Sequence, residues 1–176
     1  MKFSEDLLKG FDLEPIEDKH PVNVMQVKDM LQFLKVCAER IERKSILYQN
    51  IKDVEIQMDC IDIVTAKLHD FTQAFKDLII FMRKEERTHK TATSLRYCIS
   101  SYDTFGFSQT EEEQQFLREL LIRNEITHDY FNREIHQQKL VWIMENCCLG
   151  ASAIFRNINS YCLEKGLLDK YADKNA

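Results

Sequence analysis

Residues 58–82 read MDCIDIVTAKLHDFTQAFKDLIIFM. Met58, Ile61, Val64, Leu68, Phe71, Phe75, Leu78 and Met82 follow one another at steps of three or four. At 3.6 residues per turn that spacing puts all eight on one face of a helix about seven turns long. No alternating apolar–polar run, the mark of a half-buried strand, occurs here or elsewhere in the chain. The reading of this stretch decides the fold class, which is all-helical.

The flanking sequence extends the pattern in both directions. Asn23-Val24-Met25-Gln26 resembles a capping box, with an asparagine oxygen for the first free N–H groups and a glutamine reaching back. Met30, Leu34, Cys37 and Ile41 follow at helical spacing, which predicts a first helix over 24–49. The charged run Arg83-Lys84-Glu85-Glu86-Arg87 closes the second helix. A short third helix carries Leu95, Cys98, Tyr102 and Phe105, with Gly106 placed to end it. Ser108 and Thr110 each precede a glutamate by three residues, so either can open a fourth helix with the stripe Phe116, Leu117, Leu120 and Leu121. The run Glu111-Glu112-Glu113 suits the positive end of its dipole. Asn132 is placed to cap a fifth helix, whose stripe runs Leu140, Met144, Cys147, Ala151, Ile154, Ile158 and Tyr161 as far as Gly166. The expected architecture is an antiparallel up-and-down bundle of four to five helices. It spans residues 23–168, between an N-terminal arm (1–22) and a charged tail (169–176).

Composition limits the function. The chain has 176 residues, four glycines and two prolines, with both prolines near the start, so long helices meet few breakers. The net charge of −5 argues against a protein that coats nucleic acid over a whole basic face, but leaves room for a local basic site. No segment has the roughly 20 apolar residues that span a bilayer, so no membrane partner is expected. The opening residues MKFSEDLLKGFDLE lack an apolar signal core, which points to a cytoplasmic chain. Cys37, Cys60, Cys98, Cys147, Cys148 and Cys162 form no C-x-x-C pair and lie mostly in apolar-periodic segments. Small buried reduced thiols are the simplest reading, set against a disulfide framework or a zinc site.

One octet breaks the pattern. Residues 123–130 read RNEITHDY. Arg123 falls where an apolar residue would extend the stripe of the fourth helix. It can snorkel to the rim, pair with Glu119 or Asp129, or line a cleft. On a continuous helix Arg123 and His128 stand about 140° apart, whereas Arg123 and Tyr130 share a face. Asp129 and Asn132 form turns and caps, so the helix can break just after His128. A histidine that moves protons near neutral pH and an arginine that forks onto phosphate oxygens can together cleave RNA. The bland reading stands beside this: a histidine at home near a helix C-terminus, an ion-paired arginine, and a rim tyrosine covering apolar surface.

Arg123-Asn124-Glu125-Ile126-Thr127-His128-Asp129-Tyr130 resembles the R-x4-H-x-Y motif of HEPN domains, in particular the HepT-like branch. The context is similar too, with the leucine-rich half-helix 116–122 before the octet and a long apolar helix after it. The resemblance covers roughly residues 24–165, and the octet is its specific part. It implies a homodimer formed through the motif helices, with Arg123 and His128 of both copies facing one composite cleft. It implies a toxin ribonuclease that needs neither metal nor cofactor, with Arg123, Asn124 and His128 as the catalytic set. Its partners would be RNA and a cognate nucleotidyltransferase of the MNT type, which would neutralise it by adenylylating Tyr130. The sister branch, substrate-binding subunits of minimal nucleotidyltransferases, carries a similar octet and implies a non-catalytic binding module instead. The arm and the charged tail depart from the family pattern. An acidic residue often supports the motif, and Asp59, Asp62 and Asp70 are its candidates.

Arg133, His136 and Lys139 follow the octet and are candidates to hold phosphates, or else form an exposed face of the fifth helix. His69 reads as a boundary residue and His89 as a solvated one. Trp142 suits either the core or a dimer interface.

Overall fold

The computed structural model describes residues 24–86, 94–126 and 133–168. The arm, the tail, His89 and the Asn23 and Asn132 caps lie outside them, as do Thr127 to Tyr130 of the octet. Six helices form among the described residues: α1 (Val24–Asn50), α2 (Val54–Glu85), α3 (Leu95–Thr104), α4 (Glu111–Ile126), α5 (Arg133–Asn146) and α6 (Gly150–Glu164). There is no strand among them. No described helix is long and apolar enough to cross a membrane.

α1 and α2 form the central hairpin. In α1 the residues Val27, Leu31, Leu34, Ala38 and Ile41 are buried at alternating steps of four and three, a seam that lies along α2. In α2 the stripe is buried from Ile61 to Met82 as its spacing requires. Met58 departs from it and is 44% exposed. It lies in the first turns of α2, where its sulfur is 3.9 Å from Gln137 Nε2 of α5. The tight hairpin turn ends on Asp53, whose side chain accepts from the Glu55 and Ile56 N–H groups and caps α2.

Thr110, not Ser108, opens α4. Glu113 N–H donates to Thr110 Oγ1 at 3.1 Å and Thr110 N–H donates to Glu113 Oε2 at 3.4 Å, a reciprocal capping box. The other Glu113 oxygen is buried and accepts from the Tyr102 hydroxyl of α3 and from Asn157 Nδ2 of α6. One glutamate thus starts α4 and ties three helices together. Burial, then the bond to Glu113, raises the Tyr102 hydroxyl above the usual phenol range.

The expected fifth helix is two helices. The chain turns at Cys147–Leu149, where Gly150 N–H bonds to Cys147 O at 3.0 Å and Leu149 N–H donates to Glu112 Oε1 at 3.1 Å. The apolar period runs through the turn, which is why spacing alone joins α5 to α6. The break lets α6 approach α4 at Gly150. A Cβ there would lie 2.5 Å from Phe116 Cβ and 2.9 Å from the Glu112 carbonyl oxygen. Gly150→Ala is therefore expected to cost about 2 kcal/mol in urea unfolding, although alanine is the better helix former by about 1 kcal/mol. An unchanged midpoint would show that α4 and α6 can part without penalty.

α6 ends as Gly166 foretells. Gly166 has a φ of 60°, its N–H bonds to Leu163 O, and Leu167 N–H reaches back to Cys162 O at 2.9 Å. That is a Schellman motif, and Leu167 is buried beneath it. All six cysteines are buried and free.

Candidate anion site at the end of α4

Arg123 lies in the last turn of α4. Its Nε is removed from solvent and has no hydrogen-bond partner. No other hydrogen bond or ion pair of Arg123 occurs among the described residues. Burial lowers its pKa from the usual guanidinium range. The negative end of the α4 dipole offsets part of the cost of holding a cation there, an effect of about 0.3–1 kcal/mol.

The alternatives left open by spacing now narrow. Glu119, one turn earlier, is placed to pair with Arg123. It bonds instead to Lys139 Nζ of α5 at 3.2 Å. Snorkelling stays open, since Arg123 as a whole is only partly buried and it is the Nε that is sealed from solvent. Asp129 lies outside the described residues. The guanidinium is partly buried and its Nε is unbonded, so it has donors to spare, which is the chemistry of an anion site.

The α5 helix completes the setting. The Lys139–Glu119 bond places α5 alongside α4, and the two run in opposite directions, so the last turn of α4 and the first turn of α5 share one end of the bundle. The N-terminal end of the α5 dipole adds partial positive charge at that end. Of the predicted site residues, Asn124 is exposed on α4, one residue after Arg123. His128 and Tyr130 lie outside the described residues, as does the side chain of Arg133. His136 is half-buried on α5. Lys139, a candidate for phosphate, is engaged with Glu119.

The three candidate acids are not equivalent. Asp70 is paired with Lys67 at 2.7 Å, whereas Asp59 and Asp62 are exposed on α2. His69 is exposed as well. No group of three or more His, Cys, Asp or Glu that could hold a metal ion is found among the described residues. A groove of 490 Å³ between α3 and α4 is lined by Asp103, Phe107, Gln114 and Arg118 among others, but no nucleophile and base meet in it. Spacing did not reveal the Lys139–Glu119 bond, because it crosses between helices, nor the Tyr102–Glu113–Asn157 network. The second had one visible signal, the Thr110-x-x-Glu113 capping box.

No protein-family model, curated protein or solved structure matches the chain.

Proposed function

We propose that this protein is a metal-independent endoribonuclease of the HepT-like kind, acting as a homodimer whose composite site is built from Arg123, Asn124 and His128. The observation that carries the reading is the buried Nε of Arg123, which has no hydrogen-bond partner and stands at the head of the R-x4-H-x-Y octet. A buried donor left unbonded costs stability, and functional sites are where that cost is commonly met.

The chemistry follows from the residue types. His128 takes the proton of a ribose 2′-hydroxyl, and the oxygen attacks the adjacent phosphorus. Negative charge builds on the phosphorane oxygens, where Arg123 supplies a preorganised pair of donors. The P–O5′ bond breaks and the leaving oxygen takes up a proton, which leaves a 2′,3′-cyclic phosphate. Tyr130 is the acceptor for adenylylation by a cognate nucleotidyltransferase, which switches the site off.

Trp142 is 38% exposed, so of its two readings the core is excluded, and a docking face on α5 beside Val141 agrees with it. The same face favours a second reading, a non-catalytic subunit that presents substrate to a nucleotidyltransferase.

The deciding experiment is RNA cleavage in EDTA by the purified full chain beside His128→Ala, with Tyr130 shown by mass spectrometry to be unmodified. Cleavage to cyclic-phosphate ends is expected, reduced by about a hundredfold or more in the variant. A folded, unmodified protein that leaves RNA intact overturns the nuclease and favours the binding subunit.

A further inference from the structure

A glutamate four residues before an arginine on one helix is the favourable order for an ion pair. Glu119 and Arg123 have that spacing on α4, and Glu119 is only 9% exposed. They do not pair. Lys139 of α5 reaches across to Glu119 Oε2 at 3.2 Å, and Arg123 Nε is left buried with no partner. The Lys139 side chain is 38% exposed, whereas that of Glu119 is 11% exposed. The lysine therefore brings its charge to the carboxylate from the solvent side.

We propose that Lys139 is a positioning residue: by holding Glu119 it keeps that carboxylate from capturing Arg123, and so leaves the guanidinium open to a phosphate of single-stranded RNA. The inference rests on the proposed function, since it names what keeps that site open. Lys139 then acts through Glu119 rather than through a phosphate contact of its own. Without Lys139, Glu119 is a poorly solvated carboxylate with a cation one turn away, and the i, i+4 pair closes. The arginine's donors are then spent inside the protein.

Rescue separates this role from direct contact. If Lys139 touched phosphate, neutralising Glu119 would not replace it. If Lys139 only occupies Glu119, then removing the carboxylate makes the lysine dispensable.

The experiment is fluorescence anisotropy with a labelled, uncleavable 2′-O-methyl oligoribonucleotide and the full-length protein. Lys139→Ala is expected to weaken binding about tenfold, the scale of one charge-assisted hydrogen bond. Glu119→Gln added to Lys139→Ala should restore affinity to within about twofold of wild type, and Lys139→Arg should keep it. The salt dependence adds a second readout. Lys139→Ala should lower the slope of log affinity against log salt by about one contact, and the double variant should recover it. If Lys139→Ala does not fold, Lys139→Gln keeps the side-chain stem and takes its place. Wild-type affinity in the Lys139 variant, or failure of Glu119→Gln to rescue, overturns the inference. Arg123→Ala separates the two proposals. If it binds as wild type, the Arg123 site itself is wrong and the inference falls with it. If it binds weakly while Lys139→Ala binds normally, the inference alone fails.

Discussion

Arg123→Met is expected to make the protein more stable and nearly inactive. The Nε of Arg123 is buried and unbonded, and an unsatisfied buried donor costs about 1–3 kcal/mol. Methionine fills comparable length with a flexible apolar chain. The opposing loss is the cation's interaction with the α4 C-terminus, about 0.3–1 kcal/mol. The net gain is therefore up to about 2.7 kcal/mol in urea unfolding. RNA cleavage should fall by about two to three orders of magnitude, the usual cost of losing a donor aimed at transition-state charge. Arg123→Lys keeps the charge but loses the planar fork, so it should not restore the rate. Arg118→Met, an exposed arginine of the same helix, is the control and should shift stability by less than about 0.5 kcal/mol. Stability lost in Arg123→Met would mean that the guanidinium is satisfied by groups of the protein, and the case for an anion site would go with it.

The opposed signs of that prediction explain what the sequence could and could not show. Helix formation is local, so the α2 stripe, the Thr110-x-x-Glu113 box and Gly166 were legible at their own positions. Where the apolar period runs unbroken through a turn, as at Cys147–Leu149, spacing has no term for the break. The close approach that the break permits, Gly150 against Phe116, joins residues 34 positions apart in sequence. Arg123 was visible as a misfit in an apolar stripe. Whether it is paired was not visible, because the answer depends on Lys139, which belongs to another helix. Local rules favoured a Glu119–Arg123 pair, and the tertiary fold overrode them.

Alkaline pH should unfold this protein earlier than its charge suggests. Burial pushes the Cys37 and Cys98 thiols up to about 11 and those of Cys147 and Cys162 up to about 12, and it raises Cys148 as well. In the unfolded chain a thiol titrates near 8.5. Below about pH 7.5 both states keep nearly all of these protons and stability is unaffected. As the pH rises toward the folded values, the unfolded chain releases protons that the folded chain retains, so stability falls. The limiting slope is about 1.4 kcal/mol per pH unit for each thiol. Five such groups acting together can remove most of the roughly 5–15 kcal/mol that a domain has within about two pH units. Above about pH 10 Tyr102 and Tyr161 join them, since burial followed by hydrogen bonding to Glu113 and Glu86 raises both hydroxyls. Urea midpoints at pH 6.5, 7.5 and 9.5, at constant ionic strength with a phosphine reductant, should be level over the first step and drop steeply over the second. Cys162→Ala separates the titration from packing. It leaves a cavity and lowers stability at every pH, yet its alkaline slope should be shallower by about one proton. A midpoint that stays level to pH 9.5 would mean that the thiols ionise as readily in the fold as outside it. That outcome is incompatible with Cys37, Cys98, Cys147, Cys148 and Cys162 sealed in the helical core.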